Sequence, residues 1–156
     1  MNAACGLFRL MRGDRLIKEH PTVDDVTKLI QEVYADTVKG GPPELCVDYH
    51  SNSARIETPQ FKLLLMLTFD DDPKPLWLVL FRIPGPPSSY LVLSKCTGVA
   101  SDYVHRSCCG LDSLYRRDTL IDDEILLLKV IDHFLKQKEA LPEFAWISYD
   151  DAVHLQ

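Results

Sequence analysis

Three apolar runs dominate the middle of the sequence: FKLLLMLTF (61–69), LWLVLFRI (76–83) and YLVLSKC (90–96). The first two runs carry apolar side chains at both odd and even positions, and a strand that is apolar on both faces is normally buried on both faces. The polar connections between the runs are short, so consecutive strands are expected to pair as an antiparallel meander. The sequence therefore predicts three or four adjacent strands, with 61–69 and 76–83 in the centre of the sheet.

Helical periodicity is found on both sides of these runs. Thr22 and Asp25 have the spacing of an acidic capping box, and the apolar residues after them repeat at helical intervals, which predicts a helix over 23–38. Thr119 is a candidate N-cap for a second helix over 120–138, whose first turn is acidic and whose last turns are basic.

The other segments give weaker patterns. ELCVDYH (44–50) alternates in the manner of a half-buried strand. The N-terminal residues Leu7, Leu10 and Met11 fit one side of a short helix, and residues 99–115 fit an irregular helix or a helix and a loop. The aromatic C-terminal tail is predicted to fold back as an edge strand or a tethered segment.

This separation of helix, strands and helices along the chain is typical of the α+β class. The predicted fold is a single antiparallel sheet of about four to five strands, a meander, with an N-terminal helix and one or two C-terminal helices packed on it. Residues 1–20 are predicted to form an N-terminal arm, and residues 21–156 a single globular α+β domain.

Composition limits the classes of function. The 156 residues carry a net charge of −6 and contain no concentrated basic run, which disfavours nucleic-acid binding. No window reaches the ~18 uncharged apolar residues that a membrane span needs, and the N-terminus lacks the apolar core of a signal peptide. The five cysteines are an odd number without CxxC spacing, which indicates reduced thiols and a cytoplasmic or nuclear location.

Motifs for catalysis or cofactors are weak. Neither G-x-x-x-x-G-K nor G-x-G-x-x-G occurs, so no cofactor is predicted. The histidines and cysteines lack the two tight pairs of a structural zinc site, so no metal site is predicted. The best nominal pairing of a nucleophile with a base is Cys108 or Cys109 with His105. The residues whose convergence in space would change this view are Cys46, His50, Cys96, His105, Cys108 and Cys109.

The preferred hypothesis is a non-catalytic protein-protein interaction domain, acting as an adaptor or as a subunit of a larger assembly. Two strands that are apolar on both faces need two covers, and one or two helices normally cover only one face. An apolar face would then remain for another protein or a second copy of the chain. The rigid loop PGPPSS is a second candidate contact. The predicted partner-binding residues are Leu64, Met66, Trp77, Val79, Pro84, Pro86, Pro87 and Tyr90.

Two alternatives stay open. One is a small cysteine- or metal-dependent enzyme that uses His105, Cys108 and Cys109. The other is a viral leader or host-antagonist protein, because Leu155-Gln156 matches the dipeptide that chymotrypsin-like viral cysteine proteases prefer before the cut. Thiol reactivity would distinguish the first alternative from an interaction domain.

Overall fold

The computed structural model describes residues 6–37, 39–50, 59–69, 75–83, 89–95, 102–108 and 111–155. Along the chain the elements are β1 (Leu7–Arg12), β2 (Arg15–Glu19), α1 (Val23–Thr37), β3 (Glu44–His50), β4 (Phe61–Thr68), β5 (Leu76–Ile83), β6 (Ser89–Ser94), β7 (Tyr103–Cys108), β8 (Leu111–Arg116), β9 (Leu120–Ile121), α2 (Glu124–Gln137), β10 (Ala145–Ser148), α3 (Tyr149–Ala152) and β11 (Val153–Leu155), with a 3-10 turn at Arg117–Thr119.

These strands form two antiparallel sheets. The main sheet has eight strands in the order β10-β6-β5-β4-β3-β1-β2, with β9 pairing to β5 outside this path. The second sheet has three strands in the order β11-β8-β7. The consecutive pairing of β3, β4, β5 and β6 confirms the predicted meander.

The predicted fold class is wrong, because the described residues are mostly sheet: eight strands in one sheet, three in another, and only three short helices. Residues 7–19 form a hairpin instead of the short helix predicted around Leu7, Leu10 and Met11, and Gly13 supplies the positive φ of 61° that its tight turn requires. Residues 103–108 and 111–116 form the paired strands β7 and β8 instead of a helix. Both segments are short, and their apolar spacing fits a helix as well as a strand.

The two long helices were predicted more closely. α1 covers Val23–Thr37, and Thr22 and Asp25 make the reciprocal capping bonds expected of a capping box. α2 begins later than predicted, because Asp123 and not Thr119 is its N-cap and accepts hydrogen bonds from the backbone of Ile125 and Leu126. None of the helices in the described ranges is long and apolar enough to cross a membrane.

One face of the main sheet is covered by helices and the other is covered in part by the second sheet. The face called here the helical face packs against α1 and α2, and its core contains Leu65, Trp77 and Phe134. The opposite face, called here the outer face, packs in part against the second sheet and α3, with Leu78, Leu80 and Tyr115 in a smaller core. The helices thus cover one face of the apolar strands, and the second sheet covers part of the other.

Polar contacts fix the second sheet to the main one. Buried Arg106 donates from Nε to Thr68 Oγ1 at 2.8 Å and from an Nη to the Thr68 carbonyl at 2.9 Å. Phe69 and Ser107 exchange two backbone hydrogen bonds beside this pair. The hydroxyl of buried Ser94 on β6 donates to the Asp118 carboxylate at 2.6 Å, and the same carboxylate accepts two hydrogen bonds from the Arg116 guanidinium. The position of the second sheet on the outer face is therefore specified by buried hydrogen bonds.

Candidate protein-binding face

The strand register divides the predicted partner-binding residues between two faces. In an antiparallel pair, directly opposite residues point to the same face of the sheet. Leu64 and Met66 lie opposite Leu80 and Leu78, which places them on the outer face. Trp77 and Val79 lie opposite Leu67 and Leu65, which places them on the helical face. The four residues therefore do not form one surface.

Trp77 and Val79 belong to the core between the sheet and the helices. Both side chains are 0% exposed. The indole nitrogen of Trp77 donates to the hydroxyl oxygen of Tyr34 at 2.6 Å, and burial raises the pKa of that tyrosine. A buried indole that satisfies its N–H in this way is a structural element of the fold.

Leu64, Met66 and Tyr90 are half-buried on the outer face, beside the apolar core under the second sheet. Tyr90 also lines a cleft of about 280 Å³ together with Ser89, Ser148, Tyr149 and Asp150. These three predicted residues therefore lie on one surface. Pro84, Pro86 and Pro87 lie outside the described residues.

A line of charged side chains runs next to these apolar residues. Register pairs place five charged residues and the uncharged Tyr90 side by side across six neighbouring strands from β2 to β6: Glu19, Arg9, Asp48, Lys62, Arg82 and Tyr90. This set is called here the charged row. Strands lie about 4.8 Å apart, so the row is about 24 Å long.

Two members of the charged row carry unsatisfied polar atoms. Arg9 Nε and Asp48 Oδ1 are buried without a hydrogen-bond partner among the described residues, and so is Nδ1 of the neighbouring His50. Asp48 is only 8% exposed and His50 only 5%. Buried polar atoms in native proteins are nearly always bonded, so these three atoms are exceptions within the outer face.

Cys46 and His50 lie on the same face of β3, two residues on either side of Asp48. Burial and, to a smaller extent, the Asp48 carboxylate raise the pKa of the Cys46 thiol well above its usual range. Burial lowers the pKa of His50, which keeps the imidazole neutral at pH 7. Within the described residues, no three His, Cys, Asp or Glu side chains are arranged to hold a metal ion.

The residues proposed for an enzyme are not brought together where the structure describes them. His105 and Cys108 are three positions apart on β7, and an odd separation on a strand puts two side chains on opposite faces. Cys108 is buried, whereas about half of the His105 side chain is exposed near Asp112. Cys96, Cys109 and Gln156 lie outside the described residues, so the leader-protein hypothesis stays a prediction.

Sequence reasoning did not identify the charged row, although a signal was present. Lys62 is the charged residue of the run 61–69, and Arg82 is that of the run 76–83. One charged residue within each of two neighbouring apolar strands indicates that the two charged side chains lie on the same face, where that face is polar. The pairing of the two positions depends on the register of the β4–β5 hairpin, which the alternation within each strand does not give.

Comparison with protein-family models, with curated protein sequences and with solved structures gave no match to this chain. The geometry of the outer face is therefore the basis for proposing a function.

Proposed function

We propose that the protein is a non-catalytic protein-binding domain, an adaptor or a subunit of an assembly, and that its partner binds along the charged row of the outer face. The observation that carries this proposal is the charged row itself, which crosses six strands of the outer face beside half-buried Leu64 and Met66. A partner that carries complementary charges would pair with the accessible members of the row.

The size and chemistry of the face support a protein as the ligand. A row about 24 Å long extends over most of a standard interface patch, which buries about 800 Å² on each partner. Half-buried Leu64 and Met66 lie beside the row, and Tyr90 ends it at a cleft that can accept a side chain. Methionine, tyrosine and arginine beside apolar surface are typical of interface centres.

The partner is another protein or a second copy of this chain, and solution mass distinguishes the two. A solution mass that equals that of one chain from micromolar to millimolar concentration would exclude a second copy and leave a different protein as the partner of the charged row. A mass that doubles with concentration, and does so only while the row is intact, assigns it to a second copy.

The test compares two double variants that each remove two accessible apolar side chains. Met66→Ala with Tyr90→Ala shortens two side chains of the proposed surface. Leu111→Ala with Ile125→Ala shortens two side chains outside it, which are 65% and 80% exposed. Wild type and both variants are immobilised and exposed to an extract of the source cells, after thermal unfolding has shown that each is folded.

We expect at least one protein that wild type and the Leu111/Ile125 variant retain and that the Met66/Tyr90 variant binds about thirtyfold more weakly, since two interface anchors contribute roughly 1 kcal/mol each. The same dependence of self-association on Met66 and Tyr90 would support the homodimeric form. Equal retention of every captured protein by all three chains, together with a self-association that the variants do not alter, would refute the proposed surface.

A further inference from the structure

The β4–β5 hairpin places two cations against each other on the outer face. Lys62 and Arg82 are direct cross-strand partners, so their Cβ atoms lie about 5 Å apart. Like charges at directly opposite positions destabilise a sheet. Neither side chain forms an ion pair with an acidic residue of the described chain, and of the two only Lys62 has an acidic cross-strand neighbour, Asp48.

The rest of the charged row alternates in sign. Glu19 is followed by Arg9 at 3.5 Å, then by Asp48 and Lys62, so each charge up to Lys62 has an opposite neighbour. Arg82 breaks the alternation, and the position after it is the uncharged Tyr90. The unbalanced positive charge is thus confined to one end of the row, although the whole chain carries a net charge of −6.

We propose that Lys62 and Arg82 form the contact site for a carboxylate-rich segment of the partner protein; this inference rests on the binding surface proposed above. An acidic side chain between the two cations would convert their mutual repulsion into two attractions. Arginine presents a planar fork that binds a carboxylate with two hydrogen bonds, and lysine adds a point charge beside it.

The surroundings of the pair favour an acidic protein over a nucleic acid. A nucleic acid is held by many phosphate contacts, typically 6 to 10, and its charge density is uniform along the strand. Here Asp48 lies next to Lys62, Glu19 ends the row, and Asp150 lines the cleft beside Tyr90. These acidic groups would repel a continuous line of phosphates but leave room for a short acidic segment at the Lys62–Arg82 end.

The test uses fluorescein-labelled decaglutamate as the probe and fluorescence anisotropy as the readout, at low salt. The variant Lys62→Gln with Arg82→Gln removes the pair. The matched control, Lys28→Gln with Lys39→Gln, removes the same charge from two exposed lysines on and after α1, the helix that covers the opposite face. A decalysine probe and a labelled single-stranded 12-mer DNA are measured alongside.

We expect wild type and the control variant to bind decaglutamate equally, and the Lys62/Arg82 variant to bind about tenfold more weakly, roughly threefold for each exposed ion pair lost. Binding should weaken as salt is raised and should exceed binding of decalysine and of DNA. Equal binding by the two double variants, tighter binding of DNA, or no binding of decaglutamate to wild type would each overturn the inference. The proposed function fails separately, in the capture experiment with the Met66/Tyr90 variant, which changes no charge.

Discussion

The Arg82→Glu substitution provides the sharpest test of how the charged row is built. A glutamate at this position faces Lys62 and completes the alternation of sign from Glu19 across the sheet. The substitution removes a repulsion worth about 0.5 kcal/mol and adds an attraction of about the same size, since directly opposite pairs contribute roughly 0.2–1 kcal/mol each. We therefore expect the free energy of unfolding to rise by about 1 kcal/mol.

The expected gain corresponds to an increase in Tm of about 3 °C for a chain of this length. Urea and thermal unfolding at low ionic strength measure the gain, and Arg82→Gln should give about half of it because it removes only the repulsion. In 1 M NaCl, where the Debye length is about 3 Å, the difference from wild type should disappear. Lys39→Glu makes the same change in net charge at an exposed turn and should shift stability by less than about 0.5 kcal/mol.

A stability gain at the cost of decaglutamate binding would identify Arg82 as a residue kept for binding in spite of its effect on the fold. The net charge of −6 becomes two units more negative in the variant, so a general charge effect would destabilise it. Destabilisation equal to that of Lys39→Glu, or a gain that persists in 1 M NaCl, would refute the account of the Lys62–Arg82 pair.

Three further outcomes follow from the described contacts. Asp36→Ala should lower the free energy of unfolding by about 2 kcal/mol in urea titrations, because the buried Arg12 guanidinium loses the carboxylate oxygen that lies 2.6 Å from its Nη1. Adding Arg12→Met should recover part of this loss of stability. A loss that the second substitution leaves unchanged would contradict the role of the ion pair. Cys46 and Cys108 are buried, so peptide mapping should find them labelled by a thiol reagent only after urea unfolding, whereas fast native labelling of Cys108 would favour a thiol enzyme. A hydrogen bond from the Thr22 backbone N–H and, to a smaller extent, the Lys18 ammonium lower the pKa of Asp25 to about 2. The stability that this carboxylate contributes is therefore present above its unfolded pKa near 3.8 and is lost as the pH falls toward 2. Asp25→Asn should make the free energy of unfolding less dependent on pH between these values, and an unchanged pH dependence would contradict this role of Asp25.

The parts of the fold that were predicted correctly each carry one clear signal. The helical repeat after Thr22 continues through the 15 residues of α1, whereas the apolar runs at β4 and β5 are too short for a typical helix and are each followed by a proline-containing break. The strand pairs β1–β2 and β7–β8 were missed because each strand is six residues or fewer, and a run of that length fits a helix as well as a strand.

The candidate site required information that no single strand contains. Alternation in 61–69 separates Leu64 from Leu65, but it does not reveal that Leu64 shares a face with Leu80 and not with Val79. A shift of one residue in the β4–β5 pairing would exchange the two faces entirely. Sequence reasoning therefore grouped Leu64 and Met66 with two core residues, and it passed over Lys62 and Arg82.

The C-terminal tail has a consequence for how the binding face behaves as a whole. β10 closes one edge of the main sheet and β11 closes one edge of the second sheet, with only the four residues of α3 between them. The two sheets cannot separate or slide without breaking hydrogen bonds in this short connection. The edge of the outer face next to Tyr90 and its cleft is therefore held in one position before a partner binds. Little conformational entropy of this part of the chain is then lost on binding.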